Sequence, residues 1–169
     1  MRIHIIGGSG TGKTYLAKRL SEKFSIPHFD LDDLFWDNSS NQYGVKMPVE
    51  KRNDMLNDIL RKPDWIIEGV YYDWLDKSFK EADTIIFLDI QKSVYRFRII
   101  RRFVKRKIGV EHAKKETISS LVNLLKWTDK FQSRNLPQIY AKLNDYPEKT
   151  IFLHSKREAN NYMNEYTSL

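Results

Sequence analysis

Residues 7–14 have the residue types and the spacing that bind phosphate. They read Gly-Gly-Ser-Gly-Thr-Gly-Lys-Thr, which is a glycine, any four residues and then Gly-Lys-Thr. Glycines permit a tight, concave backbone turn whose N–H groups point inward at phosphate oxygens, and Lys13 adds a positive charge near the outer phosphates. The Thr14 hydroxyl is an oxygen ligand for a phosphate-bound Mg²⁺. The residues assigned to this phosphate site are Gly8, Ser9, Gly10, Thr11, Gly12, Lys13, Thr14 and Tyr15.

The elements on either side of this loop are those that a phosphate-binding loop requires. Residues 2–6 form a short apolar run, which predicts a buried strand ending at the glycines. Residues 15–24 contain neither glycine nor proline and place Leu16, Leu20 and Phe24 on one helical stripe. The helix would direct its positive dipole end at the same anion.

The rest of the chain alternates between strand and helix patterns. Continuous apolar runs predict further strands at residues 26–30, 65–68, 84–88 and 150–153, and helical stretches are predicted at 48–61, 93–107, 115–127 and 156–163. Strands alternating with helices indicate an α/β fold with a parallel sheet and right-handed crossovers.

Acidic residues stand at the predicted carboxyl ends of the strands, where ligands bind in such sheets. Glu68 is the best candidate for a carboxylate that holds Mg²⁺ and its waters, although Asp89 ends a similar strand and the pattern does not separate the two. Asp32 is the candidate that orients an acceptor hydroxyl or takes its proton, with Asp30 and Asp33 as alternatives. The competing interpretation is that these aspartates cap the following helix.

Composition limits the function classes. The chain has 169 residues, which predicts one domain, and it has no cysteine, so disulfides and thiolate chemistry are excluded. No apolar run approaches the roughly 18 residues of a membrane span, and the first residues lack the layout of a signal peptide, so we expect a cytoplasmic protein. The sequence leaves monomer or dimer open.

Positive charge is concentrated in one segment. Residues 92–115, the basic segment, hold ten basic residues and one acid, a net charge of +9 in a chain whose total is +7. Arg98 and Arg102 are four residues apart and share a helix face, which suggests a lid closing over phosphates within residues 92–135. Two alternatives are a solvated basic helix and a nucleic-acid contact, and the second is less favoured because no DNA-reading motif is visible.

Aromatic residues cluster around the predicted acceptor side. They are Phe35, Trp36, Tyr43, Tyr71, Tyr72 and Trp74. They form either a pocket for a ring-bearing or apolar acceptor or part of the core, and the pattern leaves both open. The acceptor-binding candidates are therefore Asp32, Trp36, Glu68 and Tyr71.

With these residues the chain resembles the adenylate-kinase-like P-loop kinases, and more closely the small bacterial proteins labelled DNA topology modulation proteins. The matching pieces are the phosphate loop, the Leu-Asp-Asp-Leu-Phe-Trp run at 31–36, the Trp-Ile-Ile-Glu-Gly run at 65–69, residues 84–89 with the Arg-rich helix, and residues 150–157. The resemblance covers nearly the whole chain.

The resemblance implies a three-layer P-loop fold with five parallel strands in the order 2-3-1-4-5 and helices on both faces. It implies ATP and Mg²⁺ as cofactors, a small-molecule acceptor and Glu68 as the metal-side acid. It also implies Arg98 and Arg102 as catalytic lid arginines beside Lys13 and Asp32, and base contacts from residues around 154–157, with Arg157 assigned to the nucleotide.

The chain departs from adenylate kinases on the acceptor side. Val70, Tyr71 and Tyr72 stand where those enzymes have Phe-Pro-Arg, and no arginine follows the second predicted strand. The Asp30-x-Asp32 pair is more similar to small-metabolite kinases such as shikimate kinase.

Overall fold

A computed structural model describes residues 1–37, 39–40, 44–108 and 117–165. In chain order its elements are β1 (Arg2–Gly7), α1 (Lys13–Phe24), β2 (His28–Asp30), α2 (Leu31–Phe35), α3 (Val49–Leu60), β3 (Trp65–Gly69), α4 (Asp76–Glu81), β4 (Thr84–Leu88), α5 (Lys92–Lys107), α6 (Ile118–Lys130), a π-helical turn (Phe131–Asn135), α7 (Leu136–Leu143), a 3₁₀ turn (Pro147–Lys149), β5 (Thr150–Leu153) and α8 (Lys156–Glu165).

The five strands form one sheet in the order β2-β3-β1-β4-β5, and every neighbouring pair is parallel. The predicted fold class and strand order are therefore confirmed. Register places Ile5 beside Glu68 and Gly7 beside Leu88, so the loop after β1 opens between the ends of β3 and β4. This is the edge at which ligands bind in parallel sheets.

Alternating strand residues divide the interior into two cores, one on each face of the sheet. On the first face Ile6, Ile67 and Phe87 pack against α2, α3, α4 and α7. On the second face Ile5 and Ile86 pack against α1, α5 and α8. The central strands β1, β3 and β4 supply both cores because successive side chains of a strand point to opposite faces.

Three helices and the π-helical turn were not predicted. Two of these helices, α2 and α4, have five and six residues, too few to show a helical period. The predicted helix at 115–127 is instead α6 (Ile118–Lys130), which runs through the π-helical turn into α7 (Leu136–Leu143). Residues 115 and 116 and the predicted pocket residue Tyr43 lie outside the described residues.

Within the described part of the chain, every helix is too short or too polar to cross a membrane.

Close packing at the end of β3 requires a glycine. A Cβ atom added to Gly69 would lie 2.8 Å from both the Cβ and the Cδ1 of Leu31, which is itself completely buried. We expect Gly69→Ala to lower the free energy of unfolding by about 1–3 kcal/mol, because this contact forces backbone or core shifts. Urea denaturation measures the change. Leu31→Ala removes the Cδ1 contact, so the double variant should lose less stability than the sum of the two single losses, whereas full additivity would contradict that contact.

Candidate active site

The phosphate loop is held open by two glycines in left-handed conformations. Gly10 has a φ of +81° and Gly12 a φ of +107°, values that residues other than glycine rarely adopt. Helix α5 lies directly on this loop, since a Cβ added to Gly10 would be 3.0 Å from Ile99. The Phe131 ring of the π-helical turn packs on Gly8, where the corresponding distance is 3.2 Å. The loop is therefore enclosed between β1 and two helical elements.

Lys13 is the buried cation of the site. It is 8% exposed, and its Nζ donates a hydrogen bond to the Gly8 carbonyl at 3.1 Å. Burial lowers the pKa of Lys13, and the negative charges of Glu68, Asp32 and Asp30 oppose that effect while Arg102 adds to it. The lysine thus links the phosphate loop electrostatically to the carboxylates at the ends of β2 and β3.

Thr14 and Glu68 bring two oxygen ligands together beside this lysine. The Thr14 hydroxyl donates to Glu68 Oε1 at 2.5 Å, and His28 Nε2 lies 3.9 Å from the same oxygen. Burial alone would raise the pKa of Glu68, but His28, Lys13 and Thr14 outweigh it and lower that pKa. Glu68 is therefore a carboxylate at neutral pH although it is only 2% exposed.

This pair fits Mg²⁺ in the manner of a kinase site. Mg²⁺ prefers hard oxygen ligands and usually takes one or two from protein, with the remainder from phosphates and water. Among the described residues no cluster of three or more His, Cys, Asp or Glu could hold a metal by itself. Thr14 and Glu68 would hold the ion only together with a bound phosphate.

Asp89, the alternative to Glu68, is engaged elsewhere. Its carboxylate accepts a hydrogen bond from the Tyr140 hydroxyl, and His154 Nδ1 lies 3.2 Å from it. The structure therefore places Glu68, rather than Asp89, against Thr14.

The three aspartates after β2 have different surroundings. Asp30 caps α2 by accepting the backbone N–H of Asp32 at 2.9 Å, so the capping role falls to Asp30. The Asp32 side chain is exposed and accepts a hydrogen bond from the Tyr71 hydroxyl at 2.7 Å. Asp33 is exposed on the same short helix. Of the three, Asp32 is the one whose carboxylate is joined to the predicted acceptor residue Tyr71.

Asp30 makes the stability of the folded protein depend on pH. Burial and the charge of Glu68 raise its pKa from 3.8 to about 6. The fold therefore binds a proton more tightly than the unfolded chain does, and stability is lost as the pH rises from about 4 to about 6. Asp30→Asn keeps the cap acceptor but removes the charge. We expect the variant to be more stable by about 1 kcal/mol above pH 6, after allowance for solvent screening, and equal to the parent below pH 4.

Thermal unfolding of both proteins across this pH range measures the difference. An equal stabilisation at every pH would contradict the assignment to Asp30 ionisation.

Two cavities adjoin the phosphate loop. One, of about 250 Å³, lies between the loop and α5 and is lined by Lys13, Thr14, Arg98 and Arg102 among others. The other, of about 230 Å³, is more apolar and is lined by Leu88, Ile90, Ser155, Lys156 and Ala159 together with loop residues. The first is lined by cations that suit phosphates, and the second has the apolar lining that suits a base.

Arg98 stands where the two cavities meet. It lines both of them, as do Gly12 and Tyr15, and its Nη1 donates to the Thr11 carbonyl at 2.9 Å. Arg157, the predicted nucleotide contact, is exposed and lines neither cavity, whereas its neighbours Ser155 and Lys156 line the apolar one.

Other cations of the basic segment connect helices. Lys92 and Arg96 both pair with Asp129, so they attach α5 to α6. Part of the +9 charge is thus balanced inside the protein. Residues 109–116 of the predicted lid lie outside the described residues, and the role of residues 92–135 as a lid stays a prediction.

Aromatic rings around Tyr71 form one connected group, which we call the aromatic cluster: Phe35, Trp36, Tyr71 and Trp74. Phe35 stacks on Tyr71 at 4.5 Å and meets the Trp36 ring edge-on at 4.8 Å. Tyr71 and Trp74 are 5.8 Å apart. All four are half-buried, so the cluster is not fully internal. Tyr72 instead donates to Gln138 at 2.6 Å.

Three residues near these groups were not singled out from the sequence. His28 lies beside Glu68, Phe131 covers Gly8, and Arg52 of α3 lies over the Trp74 ring at 4.2 Å. Their positions depend on helix packing and strand register, which no motif encodes. A parallel pairing of β2 with β3 was the one available signal for His28, since it brings residue 28 beside the strand that ends at Glu68.

Comparison with known proteins identifies relatives of this fold. No protein-family profile matches the chain. It is 30% identical to an adenylate kinase of Mycobacteroides abscessus over 127 residues, which cover 64% of this chain and 70% of the relative. It is 29% identical to the uncharacterized protein YqaC of Bacillus subtilis over 105 residues, 62% of this chain and 57% of that protein. The chain therefore spans about 57–70% of the length of these two relatives.

A solved structure shares the fold over almost the whole chain. The shikimate kinase of Bacteroides thetaiotaomicron superimposes with a TM-score of 0.60 at 16% identity, covering 99% of this chain and 96% of that one. At this identity the likeness supports the fold alone. The closer resemblance to DNA topology modulation proteins stays a prediction. The loop geometry, the strand order and the adenylate kinase relatives together show that this chain belongs to the adenylate-kinase-like P-loop kinases.

Proposed function

We propose that this protein transfers a phosphoryl group from ATP, with Mg²⁺, to a small-molecule acceptor that is a nucleotide, a nucleoside or a hydroxylated metabolite. The observation that carries the proposal is the position of Lys13. Its buried ammonium interacts with Glu68, Asp32 and Asp30 while its own loop borders the cation-lined cavity. This arrangement supports a single centre at which the phosphate loop and the carboxylates assigned to the metal and the acceptor would act together.

Each residue of the site is assigned a role in phosphoryl transfer from its position. When bound, ATP would supply the phosphoryl group and Mg²⁺ would offset part of its negative charge. Thr14 and Glu68 would hold the ion, and Lys13 with the loop N–H groups would hold the phosphates. Arg98 and Arg102 would add positive charge from the α5 side. The base would lie in the apolar cavity beside Ser155 and Lys156.

Asp32 is assigned to the acceptor. Its carboxylate is exposed, interacts electrostatically with Lys13 and accepts a hydrogen bond from the Tyr71 hydroxyl. A carboxylate in this position orients an acceptor hydroxyl and takes its proton during transfer. Trp36, Tyr71 and Glu68 would border the same acceptor.

ATP turnover tests the proposal. The purified chain with Mg²⁺ and ATP is assayed against nucleoside monophosphates, nucleosides and hydroxylated metabolites, with Lys13→Ala as the blank. We expect at least one acceptor to raise turnover far above the rate with water. Rates that remain at the blank for every acceptor, in a protein that binds ATP, would overturn the proposal.

Charge reversal on α5 separates this function from nucleic-acid binding, the alternative for the basic segment. Arg98→Glu/Arg102→Glu should reduce ATP turnover by about 1000-fold, because both side chains line the phosphate cavity. The matched double variant Arg101→Glu/Lys107→Glu changes the net charge equally at exposed positions and should keep turnover within about threefold.

Duplex DNA binding by both variants, followed against salt, completes this comparison. The nucleic-acid alternative would be favoured if the parent protein binds DNA with a steep salt dependence and the Arg101→Glu/Lys107→Glu variant no longer binds DNA.

A further inference from the structure

The outward face of α5 is apolar, although the helix as a whole is strongly basic. Four large apolar side chains on this face are between 42% and 68% exposed: Phe97, Ile100, Val104 and Ile108. Their spacing of three, four and four residues places them in one row, about 17 Å long, which we call the apolar stripe. Contiguous apolar surface of this kind marks an interaction site more often than it marks chance exposure.

The opposite face of α5 is already in use. Ile99 is buried in the second core, and Arg98 and Arg102 line the phosphate cavity. Arg96 pairs with Asp129 and so attaches the helix to α6. The helix cannot turn the apolar stripe inward without breaking these contacts. The stripe therefore belongs to the surface of the folded protein.

Cations border the apolar stripe on both sides. The helical spacing puts Arg101 and Lys107, which are both exposed, at its two opposite edges. Helix α5 contains eight basic residues and no acidic residue. Asp129, the acid that α6 brings to this helix, is already paired with Lys92 and Arg96. The face therefore suits an occupant that is apolar in the middle and negatively charged at its edges.

Charge and shape separate the possible occupants. A second copy of this chain would bring together two helices without acidic residues, whose like charges repel. A nucleic acid would neutralise the cations but leave the apolar stripe in water. A helix of another protein binds in a groove, whereas the stripe is the ridge of a single helix and lines neither cavity beside the phosphate loop. An anionic lipid surface meets both requirements, because its phosphates attract the cations and its acyl chains accept the apolar side chains.

We propose that α5 lies along an anionic lipid surface, with the apolar stripe at the acyl boundary and with Arg101 and Lys107 at the headgroup phosphates. The helix would lie in the plane of the surface rather than cross it, as amphipathic basic helices do. Its opposite face would continue to line the phosphate cavity, so the nucleotide site would lie next to the membrane. This inference goes beyond the proposed kinase function and does not depend on which acceptor is phosphorylated.

Vesicle co-sedimentation measures the interaction. The purified chain is mixed with phosphatidylcholine vesicles that contain or lack phosphatidylserine, at low and at high salt. We expect binding to the anionic vesicles, affinity at least about tenfold lower for the neutral ones, and weaker binding as salt rises. Arg101→Glu/Lys107→Glu should lower the affinity for anionic vesicles to that for neutral ones. Equal affinity for the two kinds of vesicle, or no binding to either, would overturn the proposal.

Apolar-to-polar variants separate insertion from charge attraction alone. Phe97→Ser/Val104→Ser should lower the affinity for anionic vesicles at least about tenfold, because two buried apolar groups are lost from the contact. Val104→Ser and Val49→Ser form a matched pair, since they make the same change at positions that are 48% and 59% exposed on α5 and α3. The first should weaken binding and the second should not. Unchanged affinity in the double variant, or equal losses in the matched pair, would overturn the proposal.

A fluorescent label identifies what covers the face. The chain has no cysteine, so Val104→Cys creates a single attachment point for a fluorophore that reports the polarity around it, and Val49→Cys is the control. We expect a blue shift at position 104 on anionic vesicles and none at position 49. A shift at position 104 that appears without lipid as the protein concentration rises would assign the face to a second copy. A shift with an acidic amphipathic peptide but not with vesicles would assign it to a protein partner, and either result would overturn the proposal.

The kinase function and the lipid contact fail separately. Vesicle binding is measured without ATP or acceptor, so it is unaffected if no acceptor is phosphorylated. Phe97→Ser/Val104→Ser changes only exposed positions and should keep acceptor-dependent turnover in solution within about threefold of the parent.

Discussion

Lys13→Ala is expected to reduce acceptor-dependent ATP turnover by about 1000-fold, the scale on which enzymes lose rate when a buried electrostatic contact to the transition state is removed. The Lys13 ammonium is 8% exposed and lies among Glu68, Asp32 and Asp30. Because the local dielectric is low, the attraction between this ammonium and the transferring phosphoryl group is stronger than it would be in water. Alanine leaves those carboxylates without the cation that offsets them.

Lys18→Ala is the matched control, because Lys18 is exposed one turn further along the same helix. It should keep parental turnover. Single-turnover measurements at saturating ATP separate loss of chemistry from loss of binding. A Lys13→Ala protein that is folded and retains more than about a tenth of the parental rate would contradict the role of this lysine.

Asp32→Asn is expected to reduce turnover by about 100- to 10,000-fold, the range for a residue that orients an acceptor and takes its proton. The asparagine amide still accepts the Tyr71 hydrogen bond, so the loss measures the charge rather than the geometry. ATP binding should remain within about twofold, since the aspartate lines neither cavity beside the phosphate loop.

Asp33→Asn is the comparison that decides between neighbouring carboxylates. The two positions are adjacent and exposed on the same short helix, but Asp32 is the one joined to Tyr71. We expect Asp33→Asn to stay within about threefold of the parent in turnover. A larger loss in Asp33→Asn than in Asp32→Asn would transfer the acceptor role to Asp33.

Much of this site was predictable because its chemistry is local. A phosphate loop is eight consecutive residues between a strand and a helix, and strands that are covered on both faces appear as continuous apolar runs. The strand ends then indicate which acids meet at one edge of the sheet. The identity of the metal-side acid was not local in this sense. The contact of Thr14 with Glu68 and the separate partners of Asp89 favour Glu68, whose role as the metal-side acid stays a prediction.

The remaining features depend on how helices dock. Arg52 reaches the aromatic cluster because α3 packs its buried face, including Leu56 and Ile59, onto the first core. In sequence, the same arginine is one of several charged residues on an amphipathic helix. The contact of Phe131 with Gly8 was also not predictable, because it depends on a π-helical turn that has no periodic sequence pattern.

The two cores on opposite faces of the sheet bear on how such enzymes can diverge. Side chains of α2, α3 and α4 share one core, and those of α1, α5 and α8 share the other. Energetic coupling between substitutions is strongest among touching residues and weak between separated ones. Substitutions in the core shared by α2, α3 and α4 should therefore have little effect on how α1, α5 and α8 pack against the other face. A sheet that separates its two cores in this way allows one face to diverge while the helices on the other face keep their packing.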